Sequence, residues 1–223
     1  MAKFLDTTGC SYHFQQLVNN ANEKLILLTP LLKISGEIRQ SLEDKDRLRI
    51  DIRIIHGKNE LQQKEDDWLR SLQSVRLNFC ENLHVRCCLN ENEAIITSMN
   101  FYEFSQVNHE MGMYVSRTEE PELYQDIYDE TMKLARVSNN RLAKFVIRNA
   151  YTAAMAFFCE NPYGSIDVNK LESVGLLISE GVKFTIVQPD QHNLLMTASH
   201  VNGDKIYSTG RKENGNITSE PGT

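Results

Sequence analysis

Helical stripes and short apolar runs take turns through residues 1–137. That alternation restricts the chain more than any other feature, because a segment with a 3.6-residue period cannot settle as one with a period of two. Residues 11–22 carry Tyr12, Phe14, Leu17, Val18 and Ala21 on one helical stripe. Residues 24–30 form an apolar run stopped by Pro30, which suits a buried strand. A helix is expected over 34–43, with Ile38 and Leu42 one turn apart, and a strand over 48–55, where Leu48, Ile50, Ile52 and Ile54 alternate with charges until Gly57. Residues 60–73 read as a polar helix, and 75–79 as another strand. Then two strand-like runs, 83–89 and 93–97, flank the turn Asn90-Glu91-Asn92, a hairpin signal. One helical turn over 101–106, a strand over 111–116 and a helix over 121–137 opened by Pro121 complete the pattern. Alternating strands and helices imply an α/β fold with a mixed, mostly parallel sheet and one antiparallel hairpin inside it.

Beyond residue 137 the pattern weakens. A helix is expected over 141–159, another over 168–179 with Gly181 as its cap, then a strand over 182–187 and a hairpin through Asn202-Gly203. From Gly210 the chain is rich in Gly, Asn, Ser and Thr and reads as a disordered tail. The expected division is a domain over 1–137, an α+β extension over 138–209 and a tail over 210–223. The chain has 223 residues with 41% hydrophobic and 24% charged residues, enough for a core and too apolar for wholesale disorder. No apolar run approaches a membrane span, so stable membrane insertion is not expected, and no long apolar stretch follows Lys3, so a cleaved leader is not expected. The cysteines Cys10, Cys80, Cys87, Cys88 and Cys159 form no C-x-x-C pair; the expectation is reduced thiols in a cytoplasmic protein, with no metal and no cofactor.

The chemistry concentrates in residues 83–112. His84-Val85-Arg86 is followed by Thr97-Ser98-Met99-Asn100 and then Asn108-His109-Glu110. Strand alternation puts His84 and Arg86 on one face, and the hairpin brings Ser98 and Asn100 back toward them. An imidazole, a guanidinium, a hydroxyl, an amide and a carboxylate would suit a phosphate: Arg86 binds it with two hydrogen bonds, Ser98 and Asn100 donate more, and His84 attacks phosphorus. Lys58, just past the end of the expected second strand, is a candidate substrate contact, because open parallel sheets place ligands at such ends. His109 reads as a rim residue and Glu103 as a solvated one.

This window resembles the phospholipase D superfamily signature, His-x-Lys with a following Asp, then Gly-Ser-x-Asn and a downstream Glu. The chain carries Leu83-His84-Val85-Arg86-Cys87-Cys88-Leu89-Asn90-Glu91 and Ile96-Thr97-Ser98-Met99-Asn100-Phe101-Tyr102-Glu103-Phe104-Ser105, which is similar to the compact bacterial members. The resemblance covers about residues 1–137 and implies an α/β/α sandwich. It implies a phosphodiesterase, and specifically a metal-independent nuclease acting through a phosphohistidine on His84. Arg86 then stands at the phosphate-binding lysine, Ser98 and Asn100 bind phosphate, and Glu110 orients a catalytic histidine. Three departures are visible: arginine for lysine, Thr97 for glycine, and either Asn90 or Glu91 where the aspartate belongs. The alternatives are a degenerate module that holds nucleic acid or phosphate without cleavage, and a phospholipid hydrolase.

The superfamily reaction uses two histidines and the chain has one such motif, so the resemblance implies a homodimer with a shared site. Phe101, Tyr102, Phe104 and Val107 are the expected interface patch. The expected partner is nucleic acid or another phosphodiester. Net charge is −6, and residues 75–116 hold two arginines against five glutamates, so the motif is no basic channel. Two other segments are basic: 45–58 with Lys45, Arg47, Arg49, Arg53 and Lys58, and 133–148 with Lys133, Arg136, Arg141, Lys144 and Arg148. The second five fall within an arc of about 140° if one helix runs through Ser138-Asn139-Asn140.

Overall fold

A computed structural model describes residues 1–101 and 108–222. The chain divides into two compact units, Met1–Ala135 and Arg136–Thr223. The elements are β1 (Lys3–Leu5), α1 (Thr7–Asn20), β2 (Lys24–Leu32), α2 (Gly36–Arg47), β3 (Asp51–Asn59), α3 (Gln63–Ser71), β4 (Val75–Phe79), β5 (Cys87–Asn90), β6 (Glu93–Thr97), β7 (Gly112–Ser116), α4 (Pro121–Glu160), α5 (Val168–Ser173), β8 (Val182–Gln188), β9 (Leu195–His200), β10 (Lys205–Gly210) and β11 (Thr218–Pro221).

In the first unit seven strands form one mixed sheet in the order β1-β7-β6-β5-β2-β3-β4. The β2–β3 and β3–β4 ladders are parallel and the others antiparallel, so that only β5 and β7 run against the common direction. Side chains of alternating parity serve opposite faces. Leu25, Leu27, Ile52, Ile54 and Ile95 meet Phe14, Leu17, Ile38, Leu42 and Leu69 of α1, α2 and α3. Ile26, Leu28, Ile55, Leu89, Ala94 and Val115 meet Tyr124 and Ile127 at the start of α4. The first unit is therefore an α/β/α sandwich.

Caps fix where the helices begin. The Asp6 carboxylate accepts from Gly9 N at 2.8 Å ahead of α1, and Ser35 accepts from Ile38 N at 3.3 Å ahead of α2. Gln62 and Glu65 form a reciprocal box at α3. Buried Lys45 gives its ammonium to the carbonyls of Asn19 and Ala21, at 2.7 and 2.8 Å. A cation on the last turn of α1 satisfies carbonyls that the helix leaves open. The basic segment 45–58 is largely spent within the fold, since Arg47 also pairs with Asp44 and Arg53 with Asp51.

Several expectations need correction. β2 does not stop at Pro30 but continues to Leu32, and β3 continues through Gly57 to Asn59. The short strand β1 pairs with β7 and carries no extended pattern of its own. The helices expected over 121–137 and 141–159 are one helix, because buried Asn139 and Asn140 side chains bond to Asn202 O and Asp204, leaving the helical backbone uninterrupted. Helix α5 ends at Ser173, followed by Gly175 at φ 101°, and not at Gly181. In the second unit, residues 210–223 include β11, which pairs with β10, where a disordered tail is expected. The sheet there runs β11-β10-β9-β8 and packs Met196, Ala198 and Tyr207 against Ala143, Val146, Ile147 and Phe158.

His56, on β3, is buried beside Phe79. Burial first, and then the Arg70 charge, push its pKa down to about 4, against the opposing effect of Asp66. The folded state thus resists protonation more than the unfolded chain does. Stability attributable to this residue is complete above pH ~6.5 and is lost as pH falls toward 4. Unfolding free energy should drop between pH 7.5 and 4.5 by roughly 2–3 kcal/mol more in the native chain than in His56→Leu. Urea titrations at the two pH values measure this; equal drops would contradict it.

Candidate functional site

The site forms where the β5–β6 hairpin runs out. β5 pairs with β2 from Leu25↔Asn90 to Leu28↔Cys87 and with β6 from Leu89↔Ala94 to Cys87↔Ile96. Continuing the first ladder would set Val85 against Pro30, which has no N–H to donate. On the other side one further bond forms, from Thr97 N to Arg86 O at 3.1 Å. Residues 83–86 therefore leave the sheet, and the strand expected over 83–89 starts only at Cys87. His84 and Arg86 are not placed by strand alternation.

Two contacts hold that departing segment. Leu83 is buried in the core facing α4. Gly57 lies beneath its backbone: a Cβ there would stand 2.7 Å from Pro30 O and 3.1 Å from Leu83 O. No alanine fits without moving backbone.

Arg86 Nε donates to Asn100 Oδ1 at 2.8 Å. That bond uses one of five guanidinium N–H groups and leaves the terminal fork for an anion. Ser98 Oγ donates to Glu110 Oε2 and accepts from Met111 N at 3.1 Å, while Ser98 N donates to Met111 O at 2.9 Å. The backbone 98–100 joins the two pairs, so the structure brings Arg86, Asn100, Ser98 and Glu110 together. His84 is exposed two residues before Arg86, and among the described residues no hydrogen bond ties its ring. Lys58 is exposed on β3 one residue past Gly57, and among the described residues nothing bonds it to the other four.

Thr97 takes its place through a hydroxyl that accepts from Met99 N at 3.0 Å and lies 3.1 Å from Met111 O and 3.3 Å from Cys10 Sγ. It bends the chain so that Met99 is buried and Ser98 is exposed. Sequence reasoning missed Thr7, at the first position of α1, whose hydroxyl accepts from Glu110 N at 2.9 Å. The Asp6-Thr7 start of α1 was its only signal.

Neither candidate for the motif aspartate reaches this cluster, for both sit at the far end of β5. Asn90 accepts from Asn92 N and Glu93 N at 2.8 Å and donates to Leu17 O at 2.8 Å, closing the hairpin turn. Glu91 accepts from the backbone N–H groups of Asn22, Glu23 and Lys24 at 2.9 to 3.4 Å. Those bonds hold its carboxyl below the usual range although burial acts the other way. Of the interface patch, Phe101 is only 6% exposed and stacks on Phe14 at 4.7 Å within its own core. Tyr102, Glu103, Phe104 and Val107 lie outside the described residues.

Gly57→Ala should cost about 1–3 kcal/mol and displace the Leu83–Arg86 segment. Chemical denaturation checks the first part. Titration with inorganic phosphate checks the second, with binding by the native chain weakened in the variant. Unchanged stability would contradict the close approach at Gly57.

Among solved structures, the chain is similar to Nuc from Salmonella typhimurium, described as a phospholipase D family member, at 11% identity and a TM-score of 0.46 over 61% of this chain and 96% of that one. It is also similar to NucT from Helicobacter pylori, at 11% identity and a TM-score of 0.47 over 60% and 96% of the two chains. A third is phosphatidylserine synthase from Haemophilus influenzae, at 10% identity and a TM-score of 0.49 over 60% of this chain and 38% of that one. No family model and no curated protein matches the sequence.

Proposed function

We propose that the chain is a phosphodiesterase of the phospholipase D superfamily, a metal-independent nuclease that works through a phosphohistidine on His84. One observation carries this reading: Arg86 anchored on Asn100 and Ser98 anchored on Glu110 surround the end of a hairpin two residues from an exposed histidine. The guanidinium fork and the Asn100 amide N–H groups hold the non-bridging phosphate oxygens, while Ser98, whose one hydroxyl proton goes to Glu110, positions that carboxylate beside them. A neutral His84 ring nitrogen attacks phosphorus, the P–O bond to the leaving group breaks, and the partner's His84 gives that oxygen a proton. In the second half, the partner's His84 takes a proton from water, water oxygen bonds to phosphorus, and the P–N bond breaks.

The chain supplies one histidine of this kind, so the active species is a two-fold dimer. Exposed apolar side chains beside the site support a second copy there: Val85 is 42% and Met111 65% exposed. Arginine in place of lysine is what would favour the rival reading, a phosphate-binding module without turnover. No helix among the described residues is long and apolar enough to cross a membrane.

Cleavage of labelled DNA or RNA in excess chelator should persist in the native chain and fall on the order of a thousandfold or more in His84→Ala. Activity that survives the substitution contradicts the mechanism, and a large gain from Arg86→Lys identifies the natural site as degraded. Equal mixtures of native and His84→Ala subunits, after exchange, should retain about a quarter of native activity if both histidines serve one site. Retention of about half would show independent subunits.

A further inference from the structure

The second unit has a surface of opposite sign to the chain as a whole. Residues 136–223 hold nine Lys and Arg against eight Asp and Glu, while the full chain is at −6. The excess is local: residues 136–159 contain four Lys and Arg and no acid. Within that stretch α4 has two unlike sides. Ala143, Val146, Ile147, Ala150 and Phe158 are buried against the second sheet. Arg141, Lys144 and Arg148 are exposed on the other side, together with Phe145 at 57% exposure.

At 100° per residue the three cations fall within an arc of about 60°, along roughly 10 Å of helix, with Phe145 about 40° from Arg141. A row of cations flanked by an exposed aromatic ring fits a polynucleotide strand, in which phosphates neutralise the cations and an unpaired base stacks on the ring. A lipid surface fits less well, since a helix that lies in the headgroup region inserts its apolar face. Here that face is committed to the protein core.

We propose that the Arg141–Lys144–Arg148 stripe with Phe145 is a binding surface for single-stranded nucleic acid, read by backbone charge and stacking and not by sequence. This deepens the phosphodiesterase reading, on which it rests for naming the strand as substrate.

The test uses the full chain with His84→Ala in every arm, so that the probe survives, and a fluorescent 20-nucleotide thymidine strand. Arg141→Gln/Lys144→Gln/Arg148→Gln should weaken binding at least about tenfold near 0.1 M salt and lower the slope of log K against log salt by about 2. Phe145→Ser should weaken the single strand several-fold, as about 1–3 kcal/mol of stacking per base implies, and leave a duplex of the same length unaffected. Arg141→Lys/Arg148→Lys, which keeps the charge, should bind within about threefold of the parent. Binding by the triple variant equal to the parent's overturns the proposal. So does a parent that binds phosphatidylserine vesicles and not the strand. Turnover of bis(p-nitrophenyl) phosphate, with His84 restored, should be equal in native and triple-variant chains. If the native chain leaves this small diester intact, the phosphodiesterase reading fails, while the binding arms still decide the stripe.

Discussion

Pro30 and Gly57 stand side by side on the neighbouring strands β2 and β3, and the candidate site depends on what each lacks. Pro30 has no N–H, so β5 cannot extend its ladder along β2 beyond Leu28↔Cys87. Gly57 has no Cβ, so the chain released by that failure can cross it closely at Leu83. One omission ends a strand and the other makes room for the segment that leaves it. His84 and Arg86 belong to that segment. Its far side is held by a single backbone bond from Thr97, after which the Thr97 hydroxyl turns the returning chain toward Arg86.

Much of this was legible in the residues and some was not. The alternation of Ile52 and Ile54 with charges places one strand because burial on a pleated sheet has a period of two, and the unbroken run 25–28 places its neighbour because a strand covered on both faces is apolar throughout. The helical stripes that accompany them give the α/β alternation, and the sandwich itself was what the family resemblance implied. Pro30 misled in an instructive way: it does interrupt a ladder, yet on the β5 side, while β2 keeps its pairing with β3 as far as Leu32↔Asn59. β1 is three residues long, too short for any period, and exists through its pairing with β7. Asn139 and Asn140 look like a break in a helix, and only the bonds to Asn202 and Asp204 show why the helix passes through them. The Gly- and Asn-rich end acquires order as a strand added to β10, a partner no local pattern announces.

At the site the residue types were legible and their division of labour was not. Four side chains of the five expected ones form two hydrogen-bonded pairs, Arg86 with Asn100 and Ser98 with Glu110. The pairing gives the arginine a reason: Nε can be anchored while the fork stays available, which a lysine ammonium on a flexible stem does not offer in the same form. Asn90 and Glu91, equally plausible on spacing, both close the opposite end of the hairpin, since four strand residues carry the chain away from Arg86. The cations divide similarly, Lys45 being held on helix carbonyls while Arg141, Lys144 and Arg148 are exposed on α4.

The central claim is that His84 forms a bond to phosphorus. The direct measurement is to mix the protein with a diester labelled at phosphorus, quench within milliseconds under alkaline denaturing conditions, and map the label by peptide mass spectrometry. A phosphoryl group on His84, labile in acid and absent from His84→Gln, is the expected result, at about one label per dimer if the second histidine serves as the acid. Product formed with no label on protein, or label on a residue other than His84, would contradict the account.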